Sequence, residues 1–196
     1  MTNEKREPKQ KRSIEKKEKI VDAGWKLITK NGYYKTNTAE IAKKAGVSTG
    51  IIYQYFKDKH DILISGINKY GDEVFFPMLK DTFDLSKESI TNMINEYIKS
   101  HKVSKNTHEE IMSMTHSDEE VAAYFYKREM DLTNQIYNNL LDKNINKDGL
   151  KEKVHVIIGL IDNLCHEVSY HKHSELDYNK MTDIVINTIL NITKTI

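Results

Sequence analysis

Apolar residues recur at intervals of three and four along most of this chain. Between Ser13 and Asn31, Ile20, Ala23, Gly24, Leu27 and Ile28 follow the i, i+3, i+4, i+7, i+8 spacing of one helical face, and Asn31-Gly32 stops the pattern. A fourth helix is expected after Asp58, carrying Ile62, Leu63, Ile67, Tyr70 and Val74 inward until Pro77 ends it. Further along, Ser86 opens a helix with Ile90, Met93, Ile94, Tyr97 and Ile98 on one side, a second runs from about Lys105 to His116, and a long one starts at Ser117 or Asp118 and reaches about Leu141. Beyond Asp148-Gly149 two strongly apolar stretches follow, Leu150 to Val168 and Met181 to Leu190. The predicted fold class is all-α.

The stretch NTAEIAKKAGVSTGIIYQYFKDK, Asn37 to Lys59, has a different character. Asn37 with Glu40 three residues on forms a capping-box pattern, Ile41, Ala42 and Ala45 share one face, and Gly46 is suited to the left-handed residue that ends a helix. Val47 plugs the turn and Ser48 is placed to cap a second short helix, which turns Ile52 and Phe56 inward. Two short helices joined by a tight glycine turn make a helix-turn-helix. Its outward residues are small, hydroxyl or aromatic, where a merely solvated helix would be charged. Thr49 and Gly50 permit close approach to a duplex, and Tyr53, Tyr55 and Lys59 can reach phosphate oxygens. Ile51 has two readings, a thymine-methyl contact in the major groove or a core residue.

Composition and charge sharpen this picture. With 196 residues, two prolines and eight glycines, the chain suits one or two helical domains with short connections. Residues 1–60 carry 15 lysines and arginines against 7 aspartates and glutamates, whereas the remainder has 15 against 22. A basic end joined to an acidic one suits a backbone-neutralising module attached to a module that does not bind nucleic acid. Met1 to Arg12 is a basic segment without apolar periodicity, read either as an arm along phosphates or as a solubilising tail. One cysteine, Cys165, and no apolar leader in Met1 to Lys19 lead us to expect a cytoplasmic protein, and no apolar run approaches the ~18 residues of a membrane span.

Residues Ile20 to Leu63, and AGVSTGIIYQYFKDK within them, resemble the amino-terminal domain of the tetracycline-repressor (TetR) family of bacterial transcriptional regulators. Gly24, Trp25, Ile28 and Ile51 depart from the family's usual residues. The resemblance implies three parts: a basic arm at 1–12, a three-helix helix-turn-helix DNA-binding domain at 13–58, and a helical ligand-binding and dimerisation domain at 59–196. It implies double-stranded operator DNA, a homodimer and a small-molecule effector as partners. Asn37, Ser48, Thr49, Gly50, Ile51, Tyr53, Tyr55 and Lys59 become the expected DNA-binding residues.

Two adjacent helices as apolar as Leu150–Val168 and Met181–Leu190 call for cover, and a two-fold four-helix bundle would supply it through Val154, Ile158, Ile161, Cys165, Ile184 and Ile189. The middle helices, by resemblance, enclose the effector, with Tyr97, His101, Met112, Phe125 and Arg128 as candidate lining and Met114 and Tyr137 beside them. At this spacing the same residues also read as ordinary core, and Arg128 as a partner of Asp131. Cys165, His166, Glu167, His171 and His173 are metal-ligand types, but their spacing is not that of a zinc helix, and we expect no metal and no cofactor. No phosphate loop, G-x-S-x-G or spaced carboxylate pair points to an enzyme. The expected function is therefore a homodimeric repressor on a palindromic operator, released by an effector; the alternative is a helical small-molecule-binding or enzymatic protein without specific DNA binding.

Overall fold

The computed structural model describes residues 11–75, 86–100, 104–141 and 146–194. Most of the expected arm, together with Pro77 and His101, lies outside the described residues. Among them the chain is all-helical: α1 (Lys11–Asn31), α2 (Thr38–Ala45), α3 (Thr49–Tyr55), α4 (Lys59–Phe75), α5 (Lys87–Ser100), α6 (Lys105–Met114), α7 (Glu119–Leu141), α8 (Leu150–Tyr170) and α9 (Tyr178–Thr193). Packing gathers these into two compact units, one from residues 1–72 and 103–125, the other from 73–102 and 126–196. The segment 13–58, expected as the DNA-binding module, lies within the first unit, which packing extends to α6.

The first unit is built around Ile20, Val21 and Ala23 of α1, Ile41 and Ala42 of α2, Ile52 of α3, Phe56, and Ile62 of α4. Burying each of the isoleucine, valine and phenylalanine side chains contributes roughly 1.5–3 kcal/mol, which is what holds α2 and α3 in place. Gly24 is needed where α1 meets α4, since a Cβ there would stand 2.4 Å from Ile62 Cγ2. Gly66 answers it, leaving room for Trp25, whose ring stacks on Tyr70 at 5.9 Å. Asp22 closes this contact by accepting from Lys69 Nζ at 2.7 Å and from Tyr70 Oη at 2.6 Å. Burial works to raise the Asp22 carboxyl, but these two donors outweigh it and hold it below its ordinary value.

The second unit has two apolar clusters. Ile90, Ile94 and Tyr97 of α5 pack with Ile157, Ile161, Leu164 and Cys165 of α8 and with Ile186 and Ile189 of α9. Leu132, Ile136 and Leu140 of α7 pack with Leu150, Val154 and Ile158 of α8. Of the residues expected at a subunit interface, Val154, Ile158, Ile161, Cys165 and Ile189 are buried within the chain by α5, α7 and each other, while Met181, Val185 and Leu190 of the same arcs are half-buried. Of the six, Ile184 alone is exposed, at 65%. Periodicity measured the width of each arc correctly but could not say which helices would cover it.

Two mid-helix glycines should respond oppositely to alanine. Gly24→Ala is expected to destabilise the full chain by about 1–3 kcal/mol through overpacking against Ile62, lowering the thermal midpoint by several degrees. Gly159→Ala on α8, whose Cβ would meet nothing within 4 Å, is expected to gain about 0.5–1 kcal/mol from helix propensity. Equal midpoints in a thermal melt would contradict the close α1–α4 approach.

Candidate nucleic-acid interface

At the start of α2, Asn37 Oδ1 accepts from Glu40 N at 2.9 Å while Glu40 Oε2 accepts from Asn37 N at 3.2 Å, so both halves of the capping box are present. Gly46 ends the helix at φ 69°, ψ 34°, and Val47 N closes the turn on Ala42 O at 3.0 Å. Val47 itself is half-buried against the core. Ser48 stands at the cap position of α3 in extended backbone, yet its hydroxyl makes no capping hydrogen bond. Asn37 therefore serves its helix, whereas the Ser48 side chain stands exposed at the head of α3.

On α3 the division into inner and outer residues is clear. Ile52 is fully buried and the following Phe56 nearly so, while Thr49, Gly50, Tyr53 and Gln54 are exposed. Tyr53 Oη lies 3.2 Å from Thr38 Oγ1, so the first residue of α2 and the middle of α3 share one polar edge. Thr38 was not expected here; its place one residue after the cap is the signal that could have found it. Ile51 is half-buried and packs on the core with one side, which joins its two readings. Tyr55 also packs on the core, and its hydroxyl lies 2.7 Å from Ser13 Oγ of α1. Its first role is thus to tie α3 to α1.

Lys59 is tied in a similar way. Its ammonium donates to Tyr33 O at 2.6 Å and Thr36 O at 2.8 Å, and sits 4.0 Å from the centre of the Tyr33 ring. Two of its three N–H groups are therefore engaged by the turn between α1 and α2. Burial lowers the Lys59 pKa from its ordinary value, and nearby Glu110 works against that fall. Glu110, from α6, meets the same turn through Tyr33 N and Tyr34 N. No sequence signal pointed to it, because 77 residues separate Glu110 from Tyr33.

The expected effector residues are not gathered in one unit. Met112 and Phe125 belong to the first; Tyr97 and Arg128 belong to the second. Tyr97 is buried and donates to Asp162 Oδ1 at 2.5 Å, and Arg128 Nη1 donates to Asp131 Oδ2 at 3.2 Å. Near the end of α8, Cys165 is fully buried with its thiol pushed up to about 12 by burial and by Asp162, while His166 faces Asp162 and His173 faces Glu167. Among the described residues, Asp58, His60 and Asp61 bring possible metal-ligand atoms within 4.8 Å of one another. They already have structural work: Asp58 caps His60 N and Asp61 N, Asp61 Oδ2 accepts from Lys57 N, and His60 Nε2 meets Asp118 Oδ2 at 2.6 Å.

A short helix with small and hydroxyl residues outward, set against two others in a basic unit, defines the helix-turn-helix class of DNA-binding domain. Residues 20–65 match the family model described as bacterial regulatory proteins, tetR family. It is 40% identical over 80 residues to the HTH-type transcriptional regulator HbdR of Aromatoleum sp. (strain CIB), covering 41% of this chain and 30% of that protein. It is 54% identical over 46 residues to the fatty acid metabolism regulator protein of Bacillus subtilis (strain 168), covering 24% of each. The chain thus spans less than half the length of these curated relatives. A crystal structure of a TetR-family transcriptional regulator from Mesorhizobium loti MAFF303099 shares the fold with a TM-score of 0.65, at 16% identity over 93% of this chain and 98% of that one.

Lys59→Ala should act on the fold before it acts on DNA. Losing charge-assisted bonds to two carbonyls is expected to cost about 1.5–3 kcal/mol in urea unfolding, whereas Tyr53→Phe, at an exposed position, should change stability by under about 0.5 kcal/mol. Unchanged stability of Lys59→Ala would mean that the ammonium does not hold the turn.

Proposed function

We propose that this protein is a homodimeric transcriptional repressor that binds a palindromic operator and is released by a small-molecule effector. The observation that carries the reading is the face of α3, where Thr49, Gly50 and Tyr53 stand outward from a domain rich in lysine while Ile52 and Phe56 fix the helix from beneath. Thr49 and the outer side of Ile51 are the base-reading groups in this proposal, and Tyr53 with Thr38 contacts the backbone. Lys59 and Tyr55 position the reading helix.

Two recognition helices must lie about one duplex turn apart, ~34 Å or a multiple, so the repressor needs a dimer. Because the inner residues of α8 and α9 belong to the chain's own core, we assign the interface to the opposite faces, where Val156 and Ile184 are 52% and 65% exposed. Selection of duplexes from a random pool, followed by gel shift across a salt series, tests the reading. The wild-type chain should retain a palindromic duplex with affinity falling steeply as salt rises. Val156→Asp with Ile184→Asp should give a folded monomer that loses that duplex, and Thr49→Val should alter the selected bases. A soluble dimer that retains no duplex at low salt would favour the alternative, a helical small-molecule-binding or enzymatic protein.

Release by an effector requires that the ligand bind the DNA-free spacing more tightly. Helix α4 has residues 59–72 in the first unit and its last three in the second, and α7 likewise belongs to both. These helices are the covalent route for the signal. The coupling must be reciprocal, so calorimetry with a ligand recovered from the purified chain should give weaker binding when the selected duplex is present, by a factor of about 5–150. Equal affinities would remove the inducer role, and tighter binding on DNA would make the ligand a corepressor.

A further inference from the structure

The turn from Gly32 to Thr36 joins α1 to α2 and carries the reading helix behind it. Its backbone groups find partners in helices far away in sequence. On the acceptor side, Tyr33 O and Thr36 O receive Lys59 Nζ from the first residue of α4. On the donor side, Glu110 Oε2 accepts from Tyr33 N at 2.5 Å and from Tyr34 N at 3.4 Å. Asn106 Nδ2 donates to Glu110 Oε1 at 2.7 Å and so orients the carboxylate.

One turn before Glu110 on the same face of α6, Thr107 is fully buried, and its hydroxyl faces Ile28 O at 3.3 Å and Thr29 O at 3.4 Å in the last turn of α1. Gly32 makes the approach possible. It sits at φ 95°, and a Cβ there would stand 2.8 Å from both Glu110 carboxylate oxygens. The turn is therefore held between α4, which takes its carbonyls, and α6, which takes its amides.

Building on the repressor reading above, we propose that Glu110 is a positioning residue for operator binding: with Thr107 it makes α6 a second lever on the helix-turn-helix, separate from α4. A displacement of α6 must either carry the turn with it or break these bonds. In either case Asn37, the next residue and the cap of α2, is reset, and α3 with it. Operator affinity is thus sensitive to α6 although nothing on that helix needs to touch DNA.

The test uses the full chain, the duplex that the wild type selects from a random pool, and a scrambled duplex as control. E110A is expected to speed hydrogen exchange at the Tyr33 and Tyr34 amides and to weaken the selected duplex about tenfold or more, with the selected bases and the far-UV dichroism unchanged. E110Q keeps an oxygen acceptor and should recover part of both effects. T107V, which keeps the shape, should lose affinity in the same direction and serves as the deciding variant where E110A does not fold. Faster exchange with unchanged affinity, or no recovery in E110Q, would overturn the positioning role. Unchanged exchange at Tyr33 and Tyr34 in E110A would overturn the clamp alone, whereas a wild-type chain that selects no duplex would sink the repressor reading on separate grounds.

Discussion

Helix α3 has seven residues, too few for its own hydrogen bonds to offset the cost of nucleating a helix, so its existence depends on the burial of Ile52 and Phe56 between α1, α2 and α4. The two apolar anchors are four residues apart and therefore point the same way. Every other side chain on the helix is released from packing in proportion to its distance from that line: Tyr55 and Ile51 are half-buried, and Thr49, Gly50, Tyr53 and Gln54 are exposed. One constraint thus makes the helix and chooses the face that it presents. In so small a unit the exposed face of α3 is the complement of its core.

The same dependence explains the unusual pair Gly24 and Trp25. Removing a side chain at Gly24 lets Ile62 come against the backbone of α1, and adding an indole at Trp25 refills the volume on the Gly66 side of α4. Together they keep the α1–α4 contact close-packed. Asp22, Lys69 and Tyr70 then add directional bonds at its edge. Gly24 and Trp25 thus belong to one packed contact with α4.

What could be read from the sequence follows the range of each interaction. The helix-turn-helix was legible because its signals lie within a few residues of each other: Asn37 and Glu40 cap one helix, Gly46 ends it, and Ile52 and Phe56 give the second its inner line. The roles of Tyr55, Lys59 and Glu110 were not, since their partners Ser13, Thr36 and Tyr33 are 42, 23 and 77 residues away. A lysine beside a recognition helix suggests a phosphate contact by type alone, and only the positions of two carbonyls reveal its structural use. The apolar arcs of α8 and α9 are a related case. Their width showed that they must be covered, but α5 and α7, with ordinary amphipathic patterns, supply that cover within the second unit.

The chemistry of the Gly32–Thr36 turn matters more than the strength of its bonds. Apolar burial is non-directional and varies smoothly with area, so a greasy α6 contact would tolerate a small slide with little change in energy. A backbone amide held by a carboxylate near 2.5 Å loses most of its interaction once the distance and angle leave a narrow range. Because the turn's amides face the α6 carboxylate and its carbonyls face the α4 ammonium, neither helix can shift relative to the other without leaving one set unmatched. Thr107 adds that dependence at the end of α1, one turn upstream. The turn therefore converts a displacement of either helix into a discrete change of bonding partners immediately before Asn37, where the orientation of α2 and hence of α3 is set.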